Sequence, residues 1–254
     1  MLGIGMELDL ISGAALAVGG LVAGFVNTIA GGGSAISIPI LIEILGDSLT
    51  ANGTNRVAIL LQNVVGLVGF HRGNAVPWQV ALPLVVPVVA GGAAGSWVAT
   101  RIDAETMRAV FAVVIVGVAL SVLISPSRWK GGADPKLGPI PRAVVFIGIG
   151  FYGGLVQAGV GFLMLAGLVV GGGLTLVTGN AAKVLLVLAF TAVALPVFVL
   201  AGQVAPLAGV VLASGGMAGA WIASRLAVAR GAGWIRWVLI VAALLAAARM
   251  LVLR

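Results

Sequence analysis

The sequence predicts an all-α, polytopic integral membrane protein made of two inverted-topology repeats. Hydrophobic residues make up 61% of the 254 residues, charged residues make up only 8%, and long apolar runs recur along the whole chain. Soluble domains carry roughly a quarter charged residues, so no soluble core accounts for this composition. Because the bilayer offers the backbone no hydrogen bonds, apolar runs without two-residue alternation predict membrane-spanning helices.

Each half of the chain contains about five hydrophobic segments. A helix needs about 20 apolar residues to cross the hydrocarbon layer, and several runs reach that length. We place the segments at 10–30, 34–46, 55–70, 78–100 and 107–124 in the first half, and at 143–157, 161–174, 183–202, 206–224 and 235–253 in the second half.

An internal repeat relates the two halves. GGAAGSWVATRI at 91–102 matches GGMAGAWIASRL at 215–226 with seven identities in twelve positions. Two further pairs of segments match at similar spacings: LTANGTNRV at 49–57 with LVTGNAAKV at 176–184, and GFVNTIAGGGS at 24–34 with GFYGGLVQAGVG at 150–161. Self-similarity of this kind predicts two structurally equivalent units.

The repeats are separated by a polar, proline-containing linker at 125–142, so the predicted units are residues 1–124 and residues 143–254. Because five is odd, the second repeat enters the membrane from the opposite side, as in many secondary transporters. In this arrangement eight loop cations lie on the side of the linker and four on the other side. The positive-inside rule then predicts a cytoplasmic linker and both termini outside the cell membrane.

A glycine-rich break precedes the second segment of each half. These segments have only about 13 residues, which predicts broken or re-entrant helices that line a cavity or pack inside protein. The N-terminus of a half-helix presents unpaired amides and a positive dipole end to an anion. The alternative is that the glycines only permit close helix packing. We predict that the substrate binds at the breaks, at Asn27, Gly31, Gly32, Gly33, Ser34, Gln157, Gly159 and Gly161.

Other glycines are spaced four residues apart, and for them close helix packing is the better interpretation. These pairs are Gly91 with Gly95 and Gly215 with Gly219.

Two cations occupy equivalent positions in the repeats. Arg56 follows Thr54 and Asn55 at the start of one apolar segment, and Lys183 follows Asn180 at the start of another. A charge at bilayer depth costs roughly 2.5 to 3.5 kcal/mol, so it usually faces a polar cavity. We predict that these five residues flank one anion site, with Asn180 as the N-cap that places Lys183 in the first helical turn. The alternative is that both cations snorkel to an interface and anchor helix ends.

Several other chemistries have little support. The chain has no cysteine, no HExxH motif, no acidic pair suited to magnesium diphosphate and no glycine-lysine phosphate loop. His71, the single histidine, is predicted in a solvated or lipid-facing loop, and no carboxylate is predicted to be buried within a span. The cations that give the net charge of +7 are spread singly through loops, which argues against a nucleic-acid partner. We predict no enzymatic activity and no cofactor.

Motifs in both halves resemble a known family. GFVNTIAGGGSAISIPIL at 24–41 followed by LTANGTNR at 49–56 resembles the first-half signature of the TauE/SafE family of sulfite-exporter-like membrane proteins. GGLVQAGVGFLML at 153–165 followed by GNAAKV at 179–184 is similar to the partner motif, and the likeness covers essentially the full chain. The family positions in this sequence are Asn27, Gly31, Gly33, Pro39, Thr54, Asn55, Arg56, Gln157, Gly159, Gly161, Asn180 and Lys183.

The resemblance implies transport of sulfite, organosulfonates or related small sulfur-containing or organic anions across a cytoplasmic membrane. Together with the repeat, it predicts a secondary transporter that works by alternating access between two halves. An anion channel and a non-transporting membrane scaffold subunit are the alternatives. The expected partners are the small anion, membrane lipid and a coupling ion, either a proton or sodium, and the sequence indicates no oligomeric state.

Overall fold

The structure is a computed structural model that describes residues 8–113 and 137–252, with side chains described up to Ile235 and at Trp237. All regular secondary structure in these ranges is helical. The helices are α1 (Leu10–Ile29), α2 (Ser34–Leu45), α3 (Ser48–Arg72), α4 (Trp78–Ala99), α5 (104–113 as described), α6 (Pro139–Leu155), α7 (Val160–Ala166, continued by a π-helical turn Gly167–Gly171), α8 (Leu176–Leu200) and α9 (Pro206–Val252).

Four of the described helices are long and apolar enough to cross a membrane: α1, α4, α8 and the part of α9 at Pro206–Ile235. Large apolar side chains such as Leu10, Val86 and Leu200 point outward and are largely exposed. In a soluble protein such residues belong to the core, so their exposure indicates that lipid is the solvent. The described part of the chain is therefore consistent with a polytopic membrane protein.

The predicted segments correspond to helices, but two of them were placed seven residues too late. The prediction placed helix starts at 55 and 183, whereas α3 begins at Ser48 and α8 at Leu176. Each start has a capping side chain: Asp47 accepts from the amide of Thr50 at 2.8 Å, and Thr175 Oγ1 accepts from the amide of Thr178 at 3.2 Å. The polar residues that looked like loops are helical because they are buried against protein instead of lipid.

Two local predictions are therefore wrong. Asn180 is not an N-cap, since Thr175 caps α8 and Lys183 lies two turns into the helix. His71 is not in a loop but in the last turn of α3, where its ring packs edge-on against Trp78 with centroids 5.8 Å apart.

The remaining predicted segments agree with the structure in part. The spans 206–224 and 235–253 correspond to the two helical parts of α9, which are separated at Gly231 by a non-helical backbone with φ 71° and ψ −166°. The end of the predicted linker, 139–142, belongs to α6. The span 107–124 begins at 104, and its residues after 113 lie outside the described ranges, as does the linker up to 136.

The helices pack in two groups that do not coincide with the two halves of the sequence. α1 packs along α9, which also packs on α3, and α6 packs along α4, which also packs on α8. We call α1, α2, α3 and α9 the first body and α6, α7, α8 and α4 the second body. The bodies meet chiefly where α3 packs on α8. The fourth helix of each half therefore packs with the other half's helices.

Glycines let the paired helices approach backbone to backbone. A Cβ atom on Gly20 or Gly24 would collide with the main chain of Leu212 or Gly216 in α9. The four-residue pairs predicted to serve close packing do so: Gly91 and Gly95 lie against the main chain of α6, and Gly215 and Gly219 against that of α1. This prediction is confirmed.

The same contacts correct the alignment of the first helices. Gly150 and Gly154 of α6 lie against Val88 and Gly92 of α4, as Gly20 and Gly24 lie against α9. α1 and α6 therefore correspond at an offset of 130 residues, which pairs Asn27 with Gln157, whereas aligning 24–34 with 150–161 pairs Gly24 with Gly150. The GF dipeptide that the two halves share aligns Gly24 with Gly150. The residue that packs as Gly150 does is Gly20, one helical turn before Gly24.

Candidate functional site

The two predicted breaks exist and touch each other. α1 ends at Ile29 and α2 begins at Ser34, with Gly31 at φ 83°. α6 ends at Leu155 and α7 begins at Val160, with Gln157 at φ 64° and Gly159 at φ 73°. A Cβ atom on Gly31 or Gly161 would collide with the main chain of the other glycine. The broken helices of both halves thus cross at one point inside the protein.

Arg56 is fully buried and lies at the second of these breaks. One guanidinium nitrogen, Nη1, donates to the main-chain oxygen of Gly153 at 3.1 Å and to Gln157 Oε1 at 2.9 Å. The other, Nη2, donates to the main-chain oxygen of Gly154. The ring of Phe198 covers one face of the guanidinium, with its centroid 4.3 Å from Cζ, a distance at which cation–π attraction operates.

Lys183 is the counterpart of Arg56 at the first break and is 1% exposed. Its ammonium group donates to the main-chain oxygens of Asn27 at 2.8 Å and Thr28 at 2.9 Å. The third hydrogen bond goes to Asn180 Oδ1 at 2.7 Å. All three donors of the ammonium group are therefore used.

Each cation binds the C-terminal end of a broken helix in the other body. The last carbonyls of a helix have no partner within it and carry the negative end of the helix dipole. Arg56 on α3 binds them at the end of α6, and Lys183 on α8 binds them at the end of α1. Asn52 adds a hydrogen bond of 2.9 Å to the oxygen of Leu155. Both cations are interior, so the snorkelling alternative does not describe this structure.

The two cations have no acidic partner among the residues that the structure describes. Within residues 8–113 and 137–235, the buried polar and charged side chains include Arg56 and Lys183 but no carboxylate. Carbonyl dipoles offset a buried charge only in part, because a helix end carries about half an elementary charge. The interior of the described bundle therefore keeps an excess of positive charge.

A polar network lies beside the first break. Ser37 Oγ donates to Asn55 Oδ1 at 2.6 Å, and Asn55 Nδ2 donates to Ser34 Oγ at 3.1 Å. Next to it is a narrow cavity that has no room for the centre of a water molecule. Its lining consists of Gly20, Ala23, Ser37, Asn55, Ala58, Ile59, Gln62 and Leu212.

The structure places most of the predicted site residues around the two breaks. Asn27, Asn180 and Lys183 meet at the first break, and Arg56 and Gln157 at the second. Of the predicted glycines, Gly32 packs on the ring of Phe162 and Gly33 on Asn27 and the main chain of Ala23. The amides of Gly32, Gly33 and Ser34 have no acceptor among the described residues, as the half-helix prediction requires.

Thr54 is the predicted residue that the structure sets apart from the breaks. Its hydroxyl accepts a hydrogen bond of 2.8 Å from the amide of Ala205, in the connection between α8 and α9. Thr54 therefore holds the connection between α8 and α9 in place.

Sequence reasoning missed Ser37, Asn52, Gln62 and Asn63, which are buried polar residues near the same region. The spacing of the polar residues along α3 could have identified the three that lie on this helix. Asn52, Asn55, Arg56, Gln62 and Asn63 recur at intervals of three, four or seven residues in an otherwise apolar helix, which is the helical repeat of one face. Among the described residues there is no group of three metal-ligating side chains.

Comparison with known proteins assigns the chain to a family. The family model described as sulfite exporter TauE/SafE matches residues 16–250. The chain belongs to the TauE/SafE sulfite exporter family. A TauE/SafE family member is a membrane transporter and not an enzyme, so the chain is a multi-pass membrane protein of a transporter family.

Several curated relatives match over nearly the full length. The probable membrane transporter protein ORF9 of Sinorhizobium sp is 27% identical over 237 residues, which cover 93% of this chain and 91% of the relative. The probable membrane transporter protein YfcA of Escherichia coli K12 is 24% identical over 232 residues, covering 91% and 86%. A probable membrane transporter protein of Haemophilus influenzae is 25% identical over 232 residues, covering 91% of both chains. No solved structure matches the chain.

Proposed function

We propose that this TauE/SafE family member is a secondary transporter of a small anion, namely sulfite, an organosulfonate or a related sulfur-containing or organic anion. The observation that carries the proposal is the pair of buried cations, Arg56 and Lys183, held at the two helix breaks by neutral oxygens. A buried charge without a counter-charge is unfavourable, and an anion at the breaks would supply one. Amides at the start of α2 would add hydrogen bonds to the same anion.

We further propose that the chain is an inverted repeat with a cytoplasmic linker and both termini outside. The equivalent packing of α1 on α9 and of α6 on α4 supports a pseudo-twofold relation between the halves. The excess of cations that the repeat places on the side of the linker supports the orientation. The anion then binds near the pseudo-twofold axis, where the two breaks cross.

Alternating access in this protein would move the two bodies and not the two sequence halves. α4 and α9 pack with the opposite half, so moving the halves apart would break the close glycine contacts of α1 with α9 and of α4 with α6. Moving the bodies preserves those contacts and separates α3 from α8. Rigid-body rocking of this kind around a fixed site is common in inverted-repeat transporters.

The two cations would hold the bodies together by hydrogen bonds. Arg56 belongs to the first body and binds α6 of the second, while Lys183 belongs to the second body and binds α1 of the first. Rocking the bodies must lengthen these hydrogen bonds. An anion that enters between the bodies compensates the released cations, so opening becomes favourable when substrate is present.

The test is anion flux into proteoliposomes that contain the purified protein. Sulfite, methanesulfonate and taurine are offered with and without imposed proton or sodium gradients, and the parent chain is compared with Arg56→Gln and Lys183→Gln. We expect saturable sulfite or sulfonate flux in the parent and a loss of at least tenfold in both variants. Absence of flux in the parent would favour a scaffold subunit. If both variants transport as fast as the parent, the two cations have no part in the mechanism.

A further inference from the structure

We propose that the oxyanion is recognised by a one-sided pocket in the first body, formed by Ser37, Asn55 and Gln62 together with Ser34. This inference rests on the proposed transport of an anion and specifies which side chains bind it. Ser37, Asn55 and Gln62 line the cavity beside the first break, and all three are buried. Ser34 begins α2 and is joined to the same network through Asn55.

The hydrogen bonds of the network leave donors free. Ser37 donates to Asn55 Oδ1, which fixes the amide so that its Nδ2 donates to Ser34 Oγ. The hydroxyl hydrogen of Ser34 and the second hydrogen of Asn55 Nδ2 have no acceptor among the described residues. The pocket therefore offers donors in excess of acceptors, as a site for an anion requires.

Gln62 provides the strongest indication of a ligand. Its Nε2 atom is buried and has no hydrogen-bond partner in the described part of the chain. Buried polar groups in proteins are nearly always paired, and an exception calls for a functional explanation. Because Gln62 lines the cavity, an oxygen atom of a bound anion can accept from this amide.

The size of the pocket limits the ligand. Its apolar lining includes small residues, among them Gly20, Ala23 and Ala58. The cavity has no room for the centre of a water molecule in this structure, so its lining side chains must shift before an anion binds. A compact oxyanion such as sulfite, or a sulfonate with a short carbon chain, needs a smaller shift of this lining than an aryl sulfonate does.

The equivalent positions of the second body are apolar. At the offset of 127 residues that relates α3 to α8, Asn55 corresponds to Ala182 and Gln62 to Ala189. Ala182 belongs to the apolar core of that body. The backbone is pseudo-symmetric, but the recognition chemistry is present on one side.

The test measures sulfite uptake by proteoliposomes with the Gln62→Leu, Gln62→Glu and Ser37→Ala variants. Leucine keeps the volume but removes the amide, so KM for sulfite should rise about tenfold or more, in line with the value of a hydrogen bond to a charged group. A carboxylate at position 62 repels the anion and should abolish uptake. Thr191→Val is the matched control, because Thr191 Oγ1 is also buried without a partner among the described residues but lies on α8 outside the pocket.

The outcomes separate this inference from the proposed function. If the parent transports no anion, the proposed function is wrong. If the parent transports sulfite, and the folded Gln62→Leu and Ser37→Ala variants both keep the parental KM, the pocket is not the recognition site although transport stands. Thermal unfolding of each purified variant in detergent establishes that it is folded, and a rise in KM in either folded pocket variant, with Thr191→Val unchanged, supports the pocket.

Discussion

The ammonium group of Lys183 donates a 2.8 Å hydrogen bond to the main-chain oxygen of Asn27, which lies 156 residues earlier in the chain. Asn27 is in the last turn of α1, where carbonyls have no partner within the helix, so a buried cation from the other body replaces solvent. Arg56 makes the same kind of contact with Gly153 near the end of α6, across a separation of 97 residues. These reciprocal contacts make the helix breaks stable inside an apolar protein.

Lys183→Met should destabilise the folded protein. The change leaves the main-chain oxygen of Thr28 without its donor, at about 1 to 3 kcal/mol for a buried unsatisfied group, and removes one hydrogen bond from the oxygen of Asn27, which still accepts from the amide of Gly31. Thermal unfolding in detergent should show a clear fall in the midpoint. Lys183→Arg keeps charge and donors and serves as the control; an unchanged midpoint in Lys183→Met would contradict the role of the ammonium group in holding the end of α1.

Arg56→Lys should impair transport even though the charge is kept. The guanidinium fork reaches Gly153, Gly154 and Gln157 together, and a lysine cannot reproduce that planar geometry. We expect a reduction of at least tenfold in the initial rate of sulfite uptake. Arg101→Lys is the control, because Arg101 is exposed and stacks on Trp97. Equal rates in Arg56→Lys and the parent would show that charge without geometry is sufficient.

Gly161→Ala should disturb the crossing of the two breaks. The added Cβ collides with the main chain of Gly31, so the broken helices must move apart. We expect poor folding or a loss of transport of at least tenfold, measured by the yield of monodisperse protein and by sulfite uptake. Gly148→Ala is the matched control, since nothing lies within 4 Å of its Cβ position and alanine favours a helix by about 1 kcal/mol. Normal yield and uptake in Gly161→Ala would disprove the tight crossing.

Ala58→Val should narrow the range of anions that are transported. Ala58 lines the cavity next to Gln62 and is 3% exposed, so the extra methyl groups enter the space meant for the ligand. Methanesulfonate uptake should fall several-fold more than sulfite uptake, because the methyl group of the sulfonate needs that space. Ala15→Val, on the exposed face of α1, should leave the ratio of the two rates unchanged. An equal fall in the uptake of both anions would show that Ala58 does not determine selectivity.

The proposed orientation can be tested by cysteine labelling, because the chain has no cysteine of its own. Gln79→Cys lies at the start of α4, and Glu105→Cys lies at the start of α5; both positions are exposed. A membrane-impermeant maleimide added to intact cells should label Glu105→Cys and should reach Gln79→Cys only after the membrane is opened. The reverse pattern would place the linker outside and overturn the assignment.

Much of the fold follows from local physical chemistry. Apolar runs without alternation predict helices, and the runs of glycine at 31–33 and around 159–161 predict the breaks. Equivalent positions in the repeat also mark Arg56 and Lys183 as a related pair. Helix starts at α3 and α8 were predicted late because hydropathy treats buried polar residues such as Asn52 and Asn180 as loop residues, although protein and not water surrounds them.

Hydropathy and the internal repeat in the sequence thus predict an apolar, helical membrane protein with broken helices and a related pair of cations, Arg56 and Lys183. Only the packed helices show which oxygens those cations bind, which helices form each body, and that Ser37 and Gln62 line one cavity. The reason is physical: hydrophobicity and helical periodicity are local properties of neighbouring residues. The contacts of Arg56, Lys183 and the crossing glycines join residues that are about 100 or more positions apart, and they exist only once the two halves have packed together.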